Sequence, residues 1–405
     1  MSDRRSSLLF FIGFLLLSWG LLGAGIGPLL PQISIAFDLP LPLAGQVFLL
    51  WSSGFCLGSY ITSHLLKRLQ LSSLFLSACL AAAIAIFGLS VTPSFFLFCF
   101  FYGMTGTAGG IIFTSCHTSV SWFFPEKRQA ALSFADFSFS AGTLVAPLLI
   151  NLIMSNNYPW QIFFKALSFA NITLAFLMIP LALAFFRPYS AERNVSLSAE
   201  EKTSFSLECD TTGSKKTLIN YAIICFSIGF VEWQQNVWLV TYAMSKGTPQ
   251  VSANHVMLLF SLGMILRRAG SMVAGKSCSD FRLVLLDDII LLGGISVILA
   301  GTGTAVMGAG SFATGFALGG VLPAVMASAM ASRPSHAPIL STIALVMLTF
   351  GGLCSGIYTG SAATFLSPGW TLTAGLFISV LLIISRRAFI SALRVHTAAC
   401  RGTGH

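Results

Sequence analysis

Twelve mostly apolar stretches, each long enough to cross a bilayer as a helix, recur along this chain and leave it few possible folds. A hydrocarbon core about 30 Å thick takes roughly 20 residues at 1.5 Å each. The stretches lie near 8–30, 44–66, 72–92, 94–122, 130–153, 160–186, 218–244, 253–275, 283–305, 308–331, 338–360 and 368–387. Lipid offers the backbone no hydrogen-bond partners, so unbroken spans of this kind must be helical. Only 9% of the 405 residues are charged, against about 25% in soluble domains. Water could not keep such a surface dissolved. The expected class is an all-α membrane protein with twelve transmembrane helices, embedded in a lipid bilayer.

Charge placement gives the orientation. The net charge is +9, but the basic residues sit in short loops between apolar runs, which argues for a topology signal and against nucleic acid. An even number of spans puts both termini on one side. Of the 22 Lys and Arg residues, only Lys246 falls in a loop on the opposite side, and Lys165, Arg267 and Arg268 fall within runs. Cytoplasmic termini follow, as in a bacterial inner membrane protein. Met1-Ser-Asp-Arg-Arg5 looks like a signal-peptide start, yet the apolar run behind it exceeds the usual 7–15 residues and reads as an uncleaved first helix. On this topology the sequon Asn194-Val-Ser196 lies on the cytoplasmic side, away from glycosylation. The nine cysteines have no metal-binding spacing and read as small core residues, so no metal or other cofactor is expected.

The long polar segment 187–217 divides the chain into six-helix bundles at 1–186 and 218–405. The halves match in sequence. Gly20 pairs with Gly229, Val47-Phe-Leu-Leu-Trp-Ser-Ser-Gly54 with Val256-Met-Leu-Leu-Phe-Ser-Leu-Gly263, and Lys67 with Lys276, each 209 residues apart. Gly109-Gly110 then pairs with Gly319-Gly320, Gly142 with Gly352 and Trp160 with Trp370, each 210 apart. Six spans per repeat means that both halves enter the membrane in the same direction. Parallel repeats of this kind place a substrate site at the midplane between them.

Several motifs on this frame carry a resemblance. Gly27-Pro-Leu-Leu-Pro31 ends the first span, and Phe124-Pro-Glu-Lys-Arg128 joins the fourth to the fifth. Gly275-Lys-Ser-Cys-Ser-Asp280-Phe-Arg282 follows the eighth, and its first-half counterpart Ser63-His-Leu-Leu-Lys67-Arg68 lacks the acidic residue. With these motifs the whole chain resembles the major facilitator superfamily. Gly229-Phe-Val-Glu232 with Trp238 and Tyr242, and Ala135-Asp136-Phe-Ser-Phe-Ser-Ala-Gly142 with Pro147, are similar to spans 7 and 5 of its fucose-permease-like branch of sugar/proton symporters. An aspartate stands at 136 where many of those members have histidine.

A charge in the hydrocarbon costs about 2.5–3.5 kcal/mol on insertion scales, so intramembrane charges are candidates for function. Glu232 lies roughly 21 Å into the seventh span, with Gln235, Asn236 and Leu239 on its face. It is the first candidate for binding a proton or solute, with Gln235 and Asn236 as solute hydrogen-bonders. Asp136 lies about 9 Å into the fifth span and Arg267 and Arg268 about 11–12 Å into the eighth. The resemblance implies that these spans face each other, so Asp136, itself also a candidate for binding solute or proton, is expected to pair with one arginine as a cytoplasmic gate. His117, Lys165 and Trp233 are further cavity candidates, although His117 also suits a structural role and Lys165 suits snorkelling to the interface. Asp287 and Asp288 open the ninth span, where acids suit the helix dipole.

No catalytic constellation or Walker sequence is present, so neither an enzyme nor an ATP-driven pump is expected. The reading is a monomeric secondary transporter that couples a small organic solute to protons by alternating access. A proton-antiport exporter of a drug, siderophore or metabolite is the near alternative, and a non-transporting membrane sensor the distant one.

Overall fold

The structure is a computed structural model that describes residues 2–39, 47–181, 212–274, 281–332, 336–365, 370 and 372–402. The described residues form thirteen helices: α1 (Ser2–Ala36), α2 (Val47–Arg68), α3 (Leu71–Val91), α4 (Phe95–Phe123), α5 (Arg128–Ser155), α6 (Gln161–Leu181), α7 (Thr212–Ser245), α8 (Gln250–Ala274), α9 (Phe281–Ala300), α10 (Thr304–Gly319), α11 (Val321–Ser332), α12 (Ala337–Phe365) and α13 (Thr373–Gly402). Helices α10 and α11 follow each other within one span, Thr304–Ser332, so the rods agree with the twelve expected passes. Of the expected linker 187–217, residues 187–211 lie outside the described residues, and residues 212–217 already belong to α7. Residues 275–280 of the loop motif also lie outside them.

Nine described spans are long and apolar enough to cross a membrane. The others, α2, α7 and α8, are long helices diluted by polar residues. Helix α2 carries Ser52, Ser59 and Thr62, α7 carries Glu232, Gln234, Gln235 and Asn236, and α8 carries Arg267 and Arg268. Each of the three also contributes to the central cavity described below. Polar residues in a membrane helix are tolerated where they face a bundle interior instead of lipid.

Packing repeats between the halves. In the first, α1 packs on α5 and α2 on α4; in the second, α7 packs on α12 and α8 on α10. The halves meet mainly along two seams, α5 with α8 and α2 with α12. Small residues bring the paired backbones together, as membrane packing without a hydrophobic driving force requires. A Cβ on Gly20 would run into the carbonyl oxygen of Phe139, and one on Gly142 into that of Leu17. Their counterparts Gly229 and Gly351 lie against the carbonyls of Leu348 and Phe226. Likewise Gly110 lies on Phe55 and Gly319 on Met264. These contacts are all 209 residues apart, which corrects the expected register: Gly110 corresponds to Gly319, not Gly320, and Gly142 to Gly351, not Gly352. Doublets at Gly109-Gly110, Gly319-Gly320 and Gly351-Gly352 had left the alignment free to slip by one.

The α10–α11 break has a local cause that matters for the site. Pro323 has no N–H to give the carbonyl four residues back, at Gly319. That carbonyl instead accepts a hydrogen bond from Arg268 Nε at 3.1 Å.

Candidate functional site

A small central cavity, about 30 Å³ in volume, lies where the halves meet. From the first half, α1 supplies Trp19, α2 supplies Trp51 and Phe55, α4 supplies Phe113 and His117, and α5 supplies Asp136 and Phe139. From the second, α7 supplies Glu232 and Trp233, α8 supplies Arg268, α11 supplies Leu322, and α12 supplies Leu345, Leu348 and Thr349. The charged groups are occluded: Asp136 is 6% exposed, Glu232 5%, Arg268 2% and His117 1%.

Arg268 organises the site. Its Nη1 donates to the backbone carbonyl of Asp136 at 2.9 Å and to Ser140 Oγ, both on α5 across the seam. Its Nη2 lies 3.8 Å from Glu232 Oε1. One guanidinium therefore ties α8 to α10 within its own half and to α5 of the other, and also balances the charge of α7. The fixed fork of five N–H donors lets one guanidinium reach all of these groups at once. At 3.8 Å the Glu232 contact is an ion pair without a direct hydrogen bond. Both groups line the cavity, which leaves hydrogen-bonding capacity for a bound solute.

On the facing wall, His117 Nδ1 lies 2.9 Å from the carbonyl oxygen of Phe113, and Nε2 lies 3.2 Å from Asp136 Oδ1. Asp136 Oδ2 is buried without a hydrogen-bond partner. Aromatic rings pack together along the cavity wall. Trp233 packs on Trp51, with ring centroids 4.9 Å apart, and on Phe48 at 6.3 Å. The α5–α8 seam is also joined by Thr143 to Ser261 and by Asn254 to Asn151, each at 3.4 Å.

The structure therefore brings Glu232, Asp136, Arg268, His117 and Trp233 together around one cavity. The others go elsewhere. Gln235 and Asn236 do not line it: Asn236 Nδ2 donates to the carbonyl of Glu232 at 3.0 Å, and the amide of Gln235 is buried without a partner. Lys165 is exposed on α6, consistent with snorkelling. The expected carboxylate–arginine pair at Asp136 is not formed in this structure. Arg267 is drawn instead to Asp287 Oδ2 on α9 at 2.9 Å, Arg268 reaches the backbone of Asp136, and the carboxylate faces His117.

Sequence reasoning also missed a charge cluster. Arg386 on α13 is buried and bonds Asp288 on α9, while Arg387 lies 3.4 Å from the other Asp288 oxygen. Asp287 and Asp288 thus tie α9 to α8 and α13 and do more than serve a helix dipole. Buried arginine at the end of an apolar run was the available signal. For the aromatic wall the signal was Trp19 and Trp233 at mid-span, since membrane tryptophans concentrate at the interfaces.

Comparisons with known proteins agree with this architecture. A curated relative, "Protein TsgA homolog" of Buchnera aphidicola subsp. Baizongia pistaciae (strain Bp), is 29% identical over 167 residues, covering 39% of this chain. The match spans only 42% of that relative's length. Among solved structures, a major facilitator transporter, FucP, in the outward conformation superposes with a TM-score of 0.66 at 14% identity, covering 97% of this chain and 99% of its own. A point variant of the Escherichia coli fucose:proton symporter FucP gives 0.63 at 14% identity, covering 94% and 97%. At such identity these two similarities establish the fold alone. Residues 7–356 match the Major Facilitator Superfamily as a sequence family, and with two parallel-related halves around an occluded cavity the chain belongs to that superfamily of membrane transporters.

Proposed function

We propose that this chain is a proton-coupled transporter of a small polar organic solute, working by alternating access. One observation carries the reading: a basic–acidic pair from each half, His117–Asp136 and Arg268–Glu232, faces one buried cavity. Charges this costly to bury persist where they bind something. Glu232 and Arg268 offer an acceptor and a donor to the solute, and the Trp19, Trp51 and Trp233 faces suit a ring. The fucose:proton symporter named among the structural neighbours supports symport of a sugar-like solute. The aromatic wall supports a second reading, proton-antiport export of an amphipathic compound. In either case 1–186 and 218–405 are the moving halves, joined by a linker that ends where α7 begins at Thr212. The basic-residue asymmetry supports cytoplasmic termini in a bacterial inner membrane, and the chain works as a monomer.

A thermal-shift screen of purified protein against sugars, organic acids and amphipathic drugs tests the proposal. A compound that stabilises the wild type should bind Glu232→Gln at least about tenfold more weakly, since a hydrogen bond to a charged group contributes roughly 1.5–3 kcal/mol. Equal affinity in the variant would remove Glu232 from the binding site.

A further inference from the structure

We infer that His117 and Asp136 together hold one proton, and that this pair, not Glu232, is the proton-carrying site of the transporter. The inference rests on the transport reading for its role in coupling but not for its chemistry. The carbonyl of Phe113 can only accept, so His117 Nδ1, 2.9 Å away, carries a hydrogen. In a neutral imidazole Nε2 is then a lone pair. It lies 3.2 Å from Asp136 Oδ1. An ionised carboxylate at that distance would set two acceptors against each other in a buried site. One proton between them resolves the conflict, on either atom, and belongs to the pair.

The surroundings fit a proton that can leave. The charged groups that line the cavity beside the pair are Arg268 from α8 and Glu232 from α7. Helices α1, α2, α11 and α12 present only tryptophan, phenylalanine, leucine and threonine to the cavity. With the proton bound, Asp136 and Glu232 are balanced by His117 and Arg268. When it departs to water, the cavity keeps two carboxylates and one guanidinium. Asp136 is then repelled by Nε2, and its nearest cation is Arg268, already bonded to its backbone carbonyl. Deprotonation therefore sets Asp136 against Glu232 for Arg268 across the α5–α8 seam. This links the proton to the contact between halves and to the solute-facing pair.

The test uses full-length purified protein at pH 7 without solute. Nitrogen NMR of ¹⁵N-histidine protein, with Glu and Asp bands followed by infrared spectroscopy, reads both places the proton can sit. Of the six histidines, His117 is the resonance lost in His117→Gln. The wild type should show either a His117 protonated on both nitrogens or a protonated-carboxyl band that disappears in His117→Gln. Asp136→Asn should show neither, with one bound proton lost, because an amide can donate to a neutral Nε2 and keep the contact. A wild type with neutral His117 and no such band overturns the inference. If Asp136→Asn does not fold, the wild type and His117→Gln decide alone. That failure would leave the transport reading standing, whereas an intact proton pair in a protein that moves no solute would remove only the transport reading.

Discussion

Arg268→Gln is expected to abolish transport while leaving Glu232→Gln/Arg268→Gln measurably better folded than the single variant. The guanidinium donates to Gly319 O, Asp136 O and Ser140 Oγ and lies 3.8 Å from Glu232. Removing it strands a carboxylate and leaves the carbonyl at the Pro323 break without its donor. Breaking a buried pair from one side costs about 3–5 kcal/mol. A glutamine at 232 removes the stranded charge, so the double variant recovers part of the thermal stability but not the solute site. Arg268→Lys should fail as well, because a point charge cannot span three partners. Thermal denaturation of the three variants, with uptake of a compound found by screening, checks this. Wild-type transport by Arg268→Gln would show that Arg268 is dispensable.

The second large effect is structural. Gly229→Ala places a Cβ against the backbone carbonyl of Leu348, an atom that cannot step aside as a side-chain tip can. Helices α7 and α12 must separate, and overpacking of this kind costs about 1–3 kcal/mol, occasionally more. That cost outweighs the gain of roughly 0.5–1 kcal/mol from replacing a helical glycine. Gly293→Ala, with nothing within 4 Å of the added carbon, should be neutral or slightly stabilising. Melting temperatures in one detergent compare them directly; equal values would mean that the close α7–α12 approach does not hold the half together. Because Glu232 and Trp233 lie one turn from Gly229, the variant should also lose solute binding.

Much of the fold was legible because bilayer thickness and backbone hydrogen bonding permit almost one solution for apolar runs of this length. The repeat was legible for a similar reason: positions such as Gly54 and Gly263 lie against the backbone carbonyls of Gly103 and Phe312 and tolerate nothing larger. Its register slipped by one at Gly319-Gly320 and Gly351-Gly352, where glycine doublets made neighbouring matches equivalent. Charge partners were less legible. Depth along a span placed Asp136, Arg267 and Arg268 at compatible levels, but depth does not say where a side chain turns. Asp287, on an adjacent helix of the same half, claimed Arg267 before any residue of the other half could. His117 looked structural because a bond to the carbonyl four residues back satisfies a lone histidine; its second partner came from another helix. Gln235 and Asn236 share a polar stripe with Glu232, yet the stripe is wider than the cavity.

The central claim is that one cavity couples a solute to a proton. Proteoliposomes with a trapped pH-sensitive dye test it most directly, with a thermally stabilising compound added outside and no imposed gradient. The wild type should show an immediate change in internal pH: acidification for symport, alkalinisation for exchange. Asp136→Asn should show none. Saturable solute flux through the wild type with no proton movement in either direction would contradict it.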